Sequence, residues 1–158
     1  MYTQDEKFIV TKELGKLAKW LRILGYDTIY HEKGKIAELI IQALRGERII
    51  LTRGQAPVKY KGVHVIVIKS DYVEEQIEQV VAGLNIPLEE DKLFQRCVEC
   101  NTPLEDIAKE KIEGKVPEYV YQTQTTFKQC TKCRKIFWKG THWDMVGGWL
   151  KGKGIKSE

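Results

Sequence analysis

The sequence predicts an α/β fold, a mainly parallel sheet flanked by helices, followed by a small unit that carries every cysteine. Two observations carry this reading. Short aliphatic runs alternate with amphipathic stretches of 10 to 13 residues as far as Leu84, the pattern of strands joined by helical crossovers. Beyond that point the four cysteines fall in two Cys-x2-Cys pairs.

The elements follow in order. Phe8, Ile9 and Val10 form the first strand. From Lys12 to Leu24, residues Leu14, Leu17, Ala18, Leu21 and Leu24 recur at helical spacing and define one buried face. Lys12, Lys16, Lys19 and Arg22 take the opposite arc, and Gly25 stops the helix. Asp27 to Tyr30 reads as a second strand, and Lys35 to Arg45 as a helix presenting Ile36, Leu39, Ile40, Ala43 and Leu44. Arg48 to Thr52 is the continuous apolar type buried on both faces of a parallel sheet. Val63 to Ile68 is the strongest strand pattern, with His64 in the core, and a third helix runs from Tyr72 to Leu84. His31 falls in a loop. Pro87 and the acids Glu89, Glu90 and Asp91 mark a linker or an edge strand. These changes divide the chain into an α/β domain over 1–90, a cysteine unit over 91–150 and a flexible basic tail over 151–158.

Charge is unevenly distributed along the 158 residues. Residues 1–95 carry 14 basic and 14 acidic side chains, whereas 119–158 carry eight basic residues against Asp144 and Glu158 alone. A cluster of that kind suits a phosphate backbone. No run reaches the ~18 apolar residues of a membrane span, and the first residues lack the apolar core of a secretory signal. A cytoplasmic location is expected, without a membrane partner. In that reducing compartment cysteines serve metal or redox chemistry rather than disulfides.

Cys97 and Cys100 form one knuckle and Cys130 and Cys133 another, with 29 residues between them. Each tight turn offers two thiolates to one ion, so the pair of knuckles predicts a tetrahedral zinc site closed by four protein ligands, and therefore structural. A hairpin through Lys115 to Phe127 fills the gap. His142 lies among Trp138, Trp143 and Asp144, as a packed residue, a neighbour of the metal or an RNA contact. Trp138, Trp143, Trp149 and Phe137 either close the core of this unit or offer stacking surfaces beside Lys135 and Lys139.

The run LGKLAKWLRILGYD, then RIILTR, RCVECN and CTKCRKIFWKGTHW, together resemble the Mut7-C family from about Phe8 to Trp143. The resemblance implies a PIN-like nuclease fold with a C-terminal zinc ribbon. It also implies a ribonuclease in which acids at the carboxyl ends of parallel strands hold one or two Mg2+ or Mn2+ ions that activate water against a phosphate. Two positions depart from that pattern: Thr11 stands where the family has an aspartate after the first strand, and Gly54 where an aspartate follows LTR. Glu32 and Glu38 remain near the second helix, and Asp27 is retained.

Three functions follow. The first is an RNA-binding, catalytically degenerate protein, acting on RNA or a ribonucleoprotein such as the ribosome. Its phosphate contacts are Lys16, Lys19, Arg22 and Arg53 around the cleft and Lys132, Arg134, Lys135 and Lys139 on the ribbon. The second is an active metal-dependent ribonuclease using Asp27, Asp71 and Glu13. Asp71 has an alternative role as N-cap of the third helix, with Glu74 completing a capping box. The third is a zinc-stabilised module whose partner is a protein.

Overall fold

The computed structural model of the chain describes residues 6–86 and 90–139. His142, Trp143, Trp149, Asp144 and the basic tail lie outside the described residues, as do Pro87 to Glu89 of the linker.

Four parallel strands form the first sheet: β1 (Phe8–Thr11), β2 (Thr28–His31), β3 (Ile49–Thr52) and β4 (Val65–Val67). Their order is β2-β1-β3-β4, with Phe8 opposite Thr28 and Ile49, and Thr11 opposite His31. The chain leaves β1 to one side, then crosses back over it to reach β3. The switch point therefore lies at the carboxyl ends of β1 and β3, where ligands bind in open parallel sheets.

The crossovers are α1 (Gly15–Ile23), α2 (Ile36–Gly46) and α3 (Val73–Leu84). Alternation along β1 decides which helix covers which face. Phe8 and Val10 join Leu14, Leu17, Leu21, Ile77 and Val80 in the core beneath α1 and α3. Ile9 points the other way, to Leu39, Ile40, Ala43 and Ile50 beneath α2. β3 is buried along its whole length and β1 as far as Val10, as continuous apolar runs require.

Four sequence expectations are corrected here. The segment Lys12–Leu14 is a 3-10 turn before α1 rather than its first turn. Only three residues of the Val63 to Ile68 run form β4, at the sheet edge, and His64 precedes it and is exposed. An edge strand has one partner, so strong β-propensity there does not make a long or buried strand. His31 ends β2 instead of lying in a loop. Asp71 does not cap α3: Ser70 Oγ accepts from the Tyr72 N–H at 3.1 Å and its hydroxyl donates to Glu75.

The second sheet is antiparallel, β5 (Leu104–Ile107), β6 (Phe127–Cys130) and β7 (Ile136–Trp138), in sequence order. Where a hairpin was expected between Lys115 and Phe127, the chain forms a short helix α4 (Glu118–Thr123). Pro117 fixes an extended residue before it, and Gln122 donates to Glu118 one turn back at 2.8 Å. Ile112, Val120 and Phe127 form a small core closed by Trp138, whose ring meets Phe127 edge-on. Trp138 thus packs on this core, one of the two roles expected of it.

Candidate functional site

The two knuckles have the same local construction. In the first, the Asn101 N–H donates to the Cys97 carbonyl at 2.9 Å and the Cys97 N–H to the Thr102 carbonyl at 2.8 Å. In the second, Arg134 donates to the Cys130 carbonyl at 2.9 Å and Cys130 to the Lys135 carbonyl at 3.0 Å. Both turns close through a left-handed residue, Asn101 at φ 65° and Arg134 at φ 66°, a conformation that asparagine tolerates more readily than most residues. The resulting turn points N–H groups at sulfur: Cys100 donates to Cys97 Sγ, and Lys132 and Cys133 donate to Cys130 Sγ, each at 3.4 Å.

All four sulfurs lie within 4.8 Å of one another, and Cys97 Sγ and Cys133 Sγ are 3.7 Å apart. Four thiolates held tetrahedrally at ~2.3 Å from one ion would be about 3.8 Å apart, so the donor set fits a metal of that size. Burial pushes the Cys97 thiol up to about 12. Burial also acts against the Cys130 thiolate, but the N–H groups of Cys133 and Lys132 outweigh it and bring that thiol down to about 7. A dication among the sulfurs would offset the cost of gathering this charge.

The first knuckle docks on the α/β layer through polar contacts that reach across the sequence. Arg22, expected on the solvent arc of the first helix, is 8% exposed. Its guanidinium donates to the carbonyls of Thr28 at 2.9 Å and of Val98 and Glu99 at 2.7 and 3.3 Å. Arg22 therefore joins α1 to the residues between Cys97 and Cys100 and is unavailable as a phosphate contact. Helical periodicity placed it outside; the ribbon then covered that arc. Burial lowers its pKa, with Cys97 and Glu99 opposing the shift.

Asp27 belongs to the same joint. Its carboxylate accepts from Arg48 at 2.8 Å and from Asn101 Nδ2 at 2.6 Å, while Asn101 Oδ1 takes the Thr28 N–H at 2.9 Å. Burial raises the Asp27 pKa, but these two donors prevail and hold it below the usual carboxylate range. Asp27 precedes β2, at the amino ends of the strands, the end opposite the switch point. It is not brought together with Thr11, Gly54 or Asp71. Asn101 is the residue missed from sequence; its position directly after Cys100 was visible, but its partner 74 residues away was not.

At the other end of the sheet lies a cleft of about 500 Å3 lined by Thr11, Glu13, His31, Glu32, Gly34 and Gly54 among others. The Thr11 hydroxyl donates to Glu13 at 3.0 Å. A side chain at Gly34, whose φ is 123°, would strike Glu38 Oε2 and His31 Nε2, so the glycine lets these groups approach. His31 Nε2 is buried with no hydrogen-bond partner among the described residues. Asp71 is not part of the cleft lining; it is exposed and pairs with Arg53, whose guanidinium also donates to the carbonyls of Ile68 and Ser70. Among the described residues, only the four cysteines bring three or more donors close enough to share an ion.

The remaining basic candidates are exposed: Lys16, Lys19, Lys132, Arg134, Lys135 and Lys139. Glu99 sits between Lys19 at 3.6 Å and Lys135 at 4.0 Å, so the docked knuckle places the α1 lysine and the ribbon lysine on one surface.

Geometry thus defines a class: a parallel α/β domain carrying a four-cysteine ribbon docked on its first helix. The family model described as Mut7-C RNAse domain matches residues 6–150. The chain belongs to that family. Comparison with curated proteins and with solved structures gives no match. No helix among the described residues is long and apolar enough to cross a membrane.

Proposed function

We propose that this protein binds RNA through its nuclease-like domain and ribbon and has lost efficient metal-dependent cleavage. One observation carries the reading. The switch-point cleft of a ribonuclease-family domain has Thr11 and Gly54 at the ends of its two central strands, and among the described residues no three of its carboxylates and imidazole converge on one point. A hydroxyl and a hydrogen cannot supply the charge that strips water from Mg2+. Fewer carboxylates also reduce repulsion of a phosphodiester. Lys16, Lys19, Lys132, Arg134, Lys135 and Lys139 provide the polyanion surface, and zinc at the cysteines holds the ribbon lysines against α1. The four unpaired thiols suit a reducing compartment such as the cytoplasm.

The test is an assay on single-stranded and structured RNA with Mg2+, Mn2+ or EDTA. Binding that weakens with salt, persists in EDTA for the time the zinc is retained, and leaves the RNA intact is the expected result. Charge reversal at Lys16 and Lys19 is expected to weaken it about tenfold or more. Metal-dependent cleavage lost in Glu13→Gln would establish an active nuclease instead, and absence of RNA binding at all salts would leave a protein-binding module.

A further inference from the structure

The opposite face of the α/β domain carries a second basic surface. From Arg48 to Ser70 the chain has five basic residues and no acid, although residues 1–95 as a whole balance 14 basic against 14 acidic side chains. Arg48 and Arg53 are held by Asp27 and Asp71. Lys59 and Lys61 are exposed, and no carboxylate of the described residues lies within ion-pair distance of either. Between them stands Tyr60, 36% exposed, with the Lys59 ammonium 5.9 Å from its ring centre.

This Lys-Tyr-Lys run is mounted on a fixed support. It follows the 3-10 turn Ala56–Lys59, in which Pro57 is buried, and the Tyr60 N–H donates to the Pro57 carbonyl at 3.2 Å. Gly62, at φ 85°, turns the chain back toward α2, with Leu44 Cδ2 3.9 Å from the place of its missing Cβ. Ala56 and Pro57 line the switch-point cleft. The run thus follows directly from one wall of the cleft.

We infer that Lys59, Tyr60 and Lys61 form a binding site for single-stranded RNA, in which one base stacks on Tyr60 and the two ammonium groups meet the flanking phosphates. The inference rests on the RNA-binding reading and extends it to a surface away from the ribbon. An exposed aromatic between two cations on a convex turn suits a stacked, sequence-tolerant strand. An acidic protein segment would meet the two cations but leave the Tyr60 ring without a flat partner, which a base supplies.

The experiment measures anisotropy of a labelled 12-nucleotide oligouridine with the zinc-loaded full chain across salt concentrations. Tyr60→Ala is expected to weaken binding roughly 5- to 100-fold with an unchanged salt slope, because stacking carries no counterion release. Lys59→Gln with Lys61→Gln is expected to reduce the log–log salt slope by about 1.4, from two lost phosphate contacts on a single strand. Circular dichroism and zinc content matching wild type exclude misfolding of these exposed-site variants. If wild type binds RNA and both variants bind equally well with the same slope, this site is overturned while the ribbon surface stands. If wild type does not bind RNA, the broader reading falls first.

Discussion

The two ends of the parallel sheet have opposite designs. At the amino ends, Arg22, Asp27, Arg48 and Asn101 satisfy one another and the neighbouring carbonyls, and lock the first cysteine knuckle to α1. At the carboxyl ends, Thr11, Glu13, His31 and Gly54 line an open cleft, and a buried imidazole nitrogen lacks a partner. A closed set of hydrogen-bonded charges builds stability, and an open set of polar groups is what a ligand completes. The open end is where ligands bind in parallel sheets, and the closed end is the joint between the two sheets.

The largest effect expected at the closed end comes from breaking the four-cysteine cluster. Cys97→Ser is expected to abolish stoichiometric zinc, measured by elemental analysis of purified protein, and to melt β5 to β7 while the parallel sheet survives, measured by amide exchange. Retained zinc with a folded ribbon would contradict a four-sulfur centre. Next, Arg22→Ala leaves the Thr28, Val98 and Glu99 carbonyls without their donor and is expected to cost about 2–4 kcal/mol in urea unfolding. An effect below about 0.5 kcal/mol would return Arg22 to the solvent arc that its periodicity suggests.

The open end is sharpened by addition. A Cβ at Gly54 would meet nothing within 4 Å, so Gly54→Asp has room, and Thr11→Asp exchanges side chains of similar size beside Glu13. The pair is expected to make thermal stability depend on Mn2+, by about 1–3 kcal/mol at saturation where wild type shows none; equal curves for the two proteins would show that these two positions do not complete a cation site. The smallest effect concerns pH. Asp27 has a folded pKa below its ordinary value of ~3.9, so its contribution is complete above that value and is lost as pH falls through the lower folded one. Asp27→Asn is therefore expected to destabilise the protein by about 1 kcal/mol near neutrality and to flatten the decline below pH ~4, as read from urea midpoints. An unchanged acid limb would show that another carboxylate dominates it.

Much of this was present in the chain as a string. Leu14, Leu17 and Leu21 announced a buried helix face, Ile49 to Leu51 a doubly covered strand, and two Cys-x2-Cys turns a shared centre, because periodicity and short-range spacing are local properties. Thr11 and Gly54 were legible as departures for the same reason. What failed was longer in range. Arg22 looked solvated because one helix cannot report what packs on its outer arc, and Asp27 looked like a retained catalytic acid because sequence does not say which end of a strand faces the switch point. His64 lay in the strongest strand pattern and proved exposed, since edge position, not propensity, decides burial.

The sequence by itself therefore determined the helix faces, the buried strands and the two cysteine knuckles, each set by residues a few positions apart. Only the tertiary structure decided that Arg22 and Asp27 are the joint and Thr11 and Gly54 the cleft. Those assignments depend on crossover direction and on contacts more than 70 residues apart in the chain, which hydrogen-bond satisfaction selects only once both partners have been brought together.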